Sequence, residues 1–185
     1  MQHTVIALMH DRPHAHNRAI SLFRRSALRI DSLAVASTEQ PELVRMTLVV
    51  QHDDVGEVVR QLDGLIDVVS VRDVTHQRVI AHEVCLLRVS QPGSRLGDLL
   101  RVANECDARV VEAAPHGIVL AIMGPPATIT QGLERFRSFG IIEFTRSSRI
   151  AMPVTGSTGT STPPHASAAI PASSPYTWQA DGAVA

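Results

Sequence analysis

The sequence predicts an α+β protein built from two tandem β-α-β-β-α-β units and a tail with no core of its own. Three observations predict it. Apolar residues switch between period 2 and period 3.6 in a fixed order. That order runs through twice between Thr4 and Thr145. From Pro153 onward the composition shifts to Gly, Ser, Thr, Pro and Ala, which cannot bury enough apolar area to offset its ordering entropy, so residues 153–185 are expected to be disordered.

The elements follow in order. Thr4 to Met9 is a short apolar run that reads as a buried strand. Ala15, Ala19, Leu22, Phe23 and Ala27 then recur at helical spacing. Ile30 to Ser37 and Arg45 to Gln51 read as two strands, separated by the polar turn Thr38-Glu39-Gln40-Pro41. Val55, Val58, Val59, Leu62 and Leu65 mark a second helix with Asp53 or Asp54 as its cap. Val68 to Val74 is the closing strand. In this ferredoxin-like arrangement the first and third strands are central and the second and fourth are edges. The continuously apolar runs Val5 to Met9 and Met46 to Val50 suit the centre. Arg29, Asp31, Arg72 and Asp73 give the edges charges that discourage stray pairing.

The second unit repeats the order without visibly repeating the sequence. Val84 to Val89 is a strand, and Leu96, Leu99, Leu100 and Ala103 mark a helix. Arg109 to Ala113 and Ile118 to Met123 pair around Pro115-His116-Gly117. Ile129, Leu133 and Phe136 mark the last helix, and Ile141 to Thr145 the closing strand. The expected domains are residues 1–76 and 80–152, with the cut between Thr75 and Ile80.

Composition excludes several function classes. Among 185 residues, 44% are hydrophobic and the formal net charge is −1, so no basic face is available for nucleic acid. Aromatics are 3% of the chain, and the two central strands of the first unit carry none, which removes the stacking platform an RNA-binding sheet needs. No run approaches the ~20 apolar residues of a membrane span. The opening Met1-Gln2-His3-Thr4 lacks the regions of a signal peptide, so a cytoplasmic protein is expected. Cys85 and Cys106 lack metal-type spacing and read as reduced core thiols. His14 and His16, two apart on a helix, point about 200° apart and cannot share one ion, so no metal is expected. Neither a nucleophile elbow nor a glycine-rich phosphate loop is present, and no catalytic residues are assigned.

Asp11-Arg12-Pro13-His14-Ala15, at the first strand-to-helix junction, resembles the Asp-x-Pro-Gly turn of ACT domains, the amino-acid-sensing version of this fold. The stretches 18–25, 30–35, 45–50 and 61–68 are together similar to the small subunit of acetohydroxyacid synthase (acetolactate synthase), and Glu83 to Val89 resembles the start of that family's second domain. The resemblance implies a non-catalytic regulatory subunit of branched-chain amino acid biosynthesis. Its main partner would be a catalytic subunit that holds thiamine diphosphate, magnesium and FAD, with none of these in the present chain. It also implies a homodimer formed through the second strands of two ACT domains, with a branched-chain amino acid such as valine as effector at that interface.

By resemblance the effector site comprises Asp11, Pro13, His14 and Ala15 from one chain and Arg29 and Ile30 from its partner, with Arg25, Ser32, Leu33 and Val35 at the dimer or partner surface. The physics of such a site is direct. A helix N-terminus suits a carboxylate, and a glycine lets the ligand reach the backbone. Here His14 stands where the family usually has glycine, and Arg29 where it usually has asparagine. His16 replaces a usual apolar residue. His14 crowds the carboxylate and Arg29 repels the ammonium, so Asp11 and Arg29 are expected to pair across the dimer and weaken or abolish valine feedback. Arg24, Arg25 and Arg29 form the basic cluster, read either as a solvated helix end or as a contact for the catalytic subunit. A free-standing ACT-type sensor controlling another protein, or a dimerisation module without ligand, are the alternatives.

Overall fold

Where the sequence alternates with period 2 the backbone forms strands, and where it repeats near 3.6 it forms helices. The computed structural model describes residues 1–26, 28–90 and 93–154. Ala27 and the tail from residue 155 lie outside the described residues, and with them the expectation of disorder for 155–185; Pro153, expected in that tail, instead ends a strand paired with Val79. The order is β1 (Gln2–His10), α1 (Pro13–Arg25), β2 (Arg29–Ser37), β3 (Leu43–Gln51), α2 (Val55–Asp63) and β4 (Val68–Asp73). There follow β5 (Val79–Val89), α3 (Leu96–Glu105), β6 (Ala108–Ala114), β7 (Gly117–Gly124), α4 (Pro126–Phe136), β8 (Ile141–Arg146) and β9 (Ile150–Pro153).

The first sheet has the order β2-β3-β1-β4, all antiparallel, so β1 and β3 are central as their apolar runs require. Val5, Ala7 and Met9 of β1 and Val44, Met46, Leu48 and Val50 of β3 point to one face. There they pack against Ala15, Ala19, Leu22 and Phe23 of α1 and Val58 and Leu62 of α2. Asp54 caps α2, accepting the Glu57 N–H at 3.3 Å, worth about 1 kcal/mol for such a cap. Pro13 opens α1, where its missing N–H costs nothing within the helix.

The second sheet repeats the order as β6-β7-β5-β8. Its core joins Cys85, Leu87 and Val89 of β5 and Leu120 and Ile122 of β7 to Leu99 of α3 and Ile129 and Phe136 of α4. Both cysteines are buried free thiols. Gly117 sits at φ 150° between β6 and β7, where a Cβ would lie 2.7 Å from the Val89 carbonyl oxygen. Only glycine fits that approach.

One strand departs from the expected pattern. β5 is 11 residues long and starts at Val79 rather than Val84. Its front residues Val79–His82 pair with β9, a strand the sequence reading did not anticipate. Val79, Ala81 and Ala151 of this ribbon pack with Ile6 and Val74, on the face of the first sheet opposite its helices. Glu83, 6% exposed, follows directly. Its carboxylate accepts from Arg146 at 2.5 Å and from Arg149 at 3.2 Å. Arg146 in turn donates to Pro126 O and Thr130 Oγ1 near the start of α4, and the Arg149 N–H donates to Ser32 Oγ on β2. This network ties the two sheets together.

Candidate functional site

The turn from β1 into α1 is held from below by one buried carboxylate. Asp67, 1% exposed, lies in the turn before β4. It accepts from Arg18 at 2.5 and 2.8 Å and has Arg12 at 3.9 Å. Its carbonyl takes the His10 N–H at 2.8 Å, while the Asp11 N–H goes to Glu42 O at 2.8 Å. The mouth of α1 is thus fixed by β4 and by the residue leading into β3. Sequence reasoning placed Asp67 in a matching stretch but gave it no role.

Few donors face outward at that mouth. Pro13 has no N–H, and the Ala15 N–H donates to Arg12 O at 2.9 Å, so the His14 N–H is the first one open to a ligand. No side chain caps the helix. Ala15 is fully buried in the core. His14 is exposed and borders a groove of 430 Å³ shared with Asn17, Arg18, Ser21, Arg25 and Leu65. Asp11 lies 3.9 Å from His16 Nε2, so within the chain its carboxylate leans toward that imidazole. Among the described residues no group of His, Cys, Asp and Glu is arranged to hold a metal ion.

Arg29 and Ile30 lie at the other end of the sheet. Arg29 is opposite Gln51, as is Gln2, whereas His10 is opposite Leu43. Asp11 and Arg29 of one chain are therefore about a strand length, roughly 25 Å, apart. Arg29 is exposed and sits 3.9 Å from Asp31. The Asp31 carboxyl is held below the usual aspartate range, chiefly by hydrogen bonds from Gln2 and Gln51, with Arg29 and Arg149 assisting against partial desolvation. Of the remaining surface residues, Val35 is 44% exposed on edge strand β2 and Arg25 lines the groove beside His14. Leu33 packs toward the core, and Ser32 is engaged by Arg149. The turn residues Asp11, Pro13, His14 and Ala15 are brought together. Arg29 and Ile30 are not joined to them within one chain.

Comparison with known proteins places these features in context. Residues 8–70 match the family model described as the AHAS small subunit-like ACT domain, and residues 82–154 the one described as the small subunit of acetolactate synthase. The probable acetolactate synthase small subunit of Archaeoglobus fulgidus is 34% identical over 154 residues, covering 82% of this chain and 96% of that one. The acetolactate synthase small subunit of Mycolicibacterium smegmatis is 29% identical over 152 residues, covering 81% and 90%. The crystal structure of the small subunit from Thermotoga maritima superposes with a TM-score of 0.76 at 21% identity, over 83% of this chain and 98% of that one. It shares the fold.

Proposed function

Because the chain belongs to the acetolactate synthase small-subunit family, we propose that it binds and activates a separate catalytic subunit, does no chemistry itself, and has weak or absent valine feedback. Residues 1–76 serve as the regulatory domain and residues 80–152 as the second domain. The thiamine diphosphate, magnesium and FAD of the reaction reside in the catalytic subunit, and the assembly works in the cytoplasm.

The observation that carries this reading is the open edge of β2, with Arg29 at the end of the sheet opposite Asp11. An edge strand of 9 residues offers a row of unpaired backbone groups. Pairing two β2 strands antiparallel about a two-fold axis continues the sheet across the dimer. It also brings the partner's Arg29 to the same end as Asp11. An ammonium group arriving there meets a fixed guanidinium, and a carboxylate meets the His14 side chain and a mouth poor in N–H donors. Both halves of a zwitterion are disfavoured. Asp11 and the partner's Arg29 neutralise each other instead.

A regulator of this kind acts by binding one state of its partner better than another, and a coupling of ~1–3 kcal/mol suffices. The test is reconstitution. Acetolactate formation by the catalytic subunit is followed with and without this chain, across a valine titration, together with sedimentation of the chain alone. Activation that persists in valine, from a dimeric chain, supports the reading. Tight valine binding with inhibition refutes the closed site, and no effect on the catalytic subunit refutes the regulatory role. His14→Gly with Arg29→Asn is expected to gain valine binding.

A further inference from the structure

On the face of the first sheet away from α1 and α2, the β5–β9 ribbon leaves a cleft of 350 Å³. We propose that this cleft is a binding site for a small aliphatic carboxylate, its charge seated on Arg45 and Thr47 and its hydrocarbon laid against Ile80, Ile150 and Met152. The site lies across the sheet from the mouth of α1 and does not depend on the reading of that turn.

The floor consists of hydrogen-bond donors without acceptors. Arg45 and Thr47 are two apart on β3, so their side chains share a face about 7 Å apart. Arg45 is half-buried, yet no carboxylate among the described residues lies within ion-pair distance of it. Thr47 is 2% exposed and lines the cleft, and its hydroxyl has no hydrogen bond to any described group. His82 adds an imidazole on the ribbon side, also without such a bond. None of these donors is sealed from water in the open cleft, so a ligand anion would take the place of water as their shared acceptor.

The space exists because the neighbouring strand is small-chained there. Ala36 is opposite Arg45 and Ala34 opposite Thr47 in the β2–β3 register, and a larger residue at Ala36 would fill the cleft that it lines. The ribbon wall is aliphatic, while the β2 side ends in the polar Ser37 and Thr38 and the solvent-exposed carboxylate of Glu39. Ile80 and Met152 pair directly across the ribbon and are each 57% exposed, and Ile150 is 55% exposed. A donor floor beneath an aliphatic wall suits an anion carrying a short hydrocarbon chain. Inorganic phosphate would leave the wall unused, and a lipid tail exceeds the volume, which sits at the small end of ordinary ligand sites.

The experiment is calorimetric titration of the full-length chain with sodium isovalerate and sodium 3-methyl-2-oxobutanoate, with neutral isovaleramide as control. Methyl NMR shifts at Ala36, Thr47 and Ile150 give an independent readout. Saturable binding of the acids, on the order of 1 mM or tighter, is expected, with the amide at least about tenfold weaker. Arg45→Gln should weaken the acids about tenfold or more, Thr47→Val should weaken them a few-fold, and Ala36→Leu should abolish binding by filling the space. His14→Gly with Arg29→Asn should leave the acid-induced methyl shifts at Thr47 and Ile150 unchanged, whatever binding it adds at the turn, which separates this cleft from the turn. Absence of saturable binding to the wild-type chain overturns the proposal. So does binding that survives in folded Ala36→Leu, or in folded Arg45→Gln at wild-type strength.

Discussion

Replacing Glu83 with alanine removes the carboxylate that two arginines share at the junction of the sheets. The magnitude follows from burial. Glu83 is 6% exposed, and the side chains of Arg146 and Arg149 are 30% and 19% exposed. Deleting one member of a buried ion network costs about 3–5 kcal/mol, because the remaining charges stay desolvated and unpaired. Both arginines retain some access to water, so the lower end, about 3 kcal/mol, applies here. With a urea dependence of ~2 kcal/mol per molar, the midpoint should fall by about 1.5 M, read by far-UV circular dichroism. The comparison is Arg101→Ala, which breaks exposed pairs to Asp98 at 4.0 Å and Glu105 at 2.8 Å. Such pairs contribute well under ~1 kcal/mol. Hydrogen exchange should quicken in the first turn of α4 and in β9, which Arg146 and Arg149 hold. If Glu83→Ala shifts the midpoint no more than Arg101→Ala, the network carries no structural weight and the reasoning fails.

Asp67→Ala should destabilise by about 2–3 kcal/mol, at or below the lower end for a buried pair because Arg18 is half-exposed, and amide exchange should show α1 loosening first. Gly117→Ala forces a Cβ against the Val89 carbonyl oxygen at 2.7 Å. A loss of ~2 kcal/mol or more follows, lowering the melting temperature by roughly 4–8 °C. Asp31 has its carboxyl held below the usual range, so its contribution is present above the ordinary aspartate pKa and is lost as pH falls through the folded-state value. The gap in melting temperature between the wild-type chain and Asp31→Asn should therefore be open at pH 6 and close in acid below about pH 4. A gap that is constant with pH would contradict that assignment.

How much was legible depended on whether the deciding contact was local. β1 and β3 declared themselves because a strand buried within a sheet is apolar along its whole length. α1 and α2 declared themselves because one face repeats at 3.6. β9 did not, since Ile150-Ala151-Met152-Pro153 is short, ends in proline and finds its partner far earlier in the chain, at Val79–His82. The turn residues Asp11, Pro13 and His14 could be found because they are contiguous. Asp67 and Glu83 could not, because a lone acid in a turn or strand reads as solvent-facing until burial shows otherwise. Arg45 was read as a strand residue within one of the resembling stretches, with no site role, and its missing counter-ion is a three-dimensional fact.

β5 changes neighbours halfway along its length, first bonded to β9 against one sheet and then serving as the centre of the other. A continuous strand of 11 residues, roughly 36 Å long, behaves as a torsion rod clamped at both ends. A twist applied where Val79 and Ala81 rest on Ile6 cannot dissipate in a slack connection. Cys85 and Leu87 of the same strand lie beneath α3 and α4, with no loop between them and Ala81. The same geometry makes the halves poor candidates for separate life. Cutting the chain ahead of Val79 would strip the cover from Ile6 and Val74, turning an internal seam into a sticky exterior.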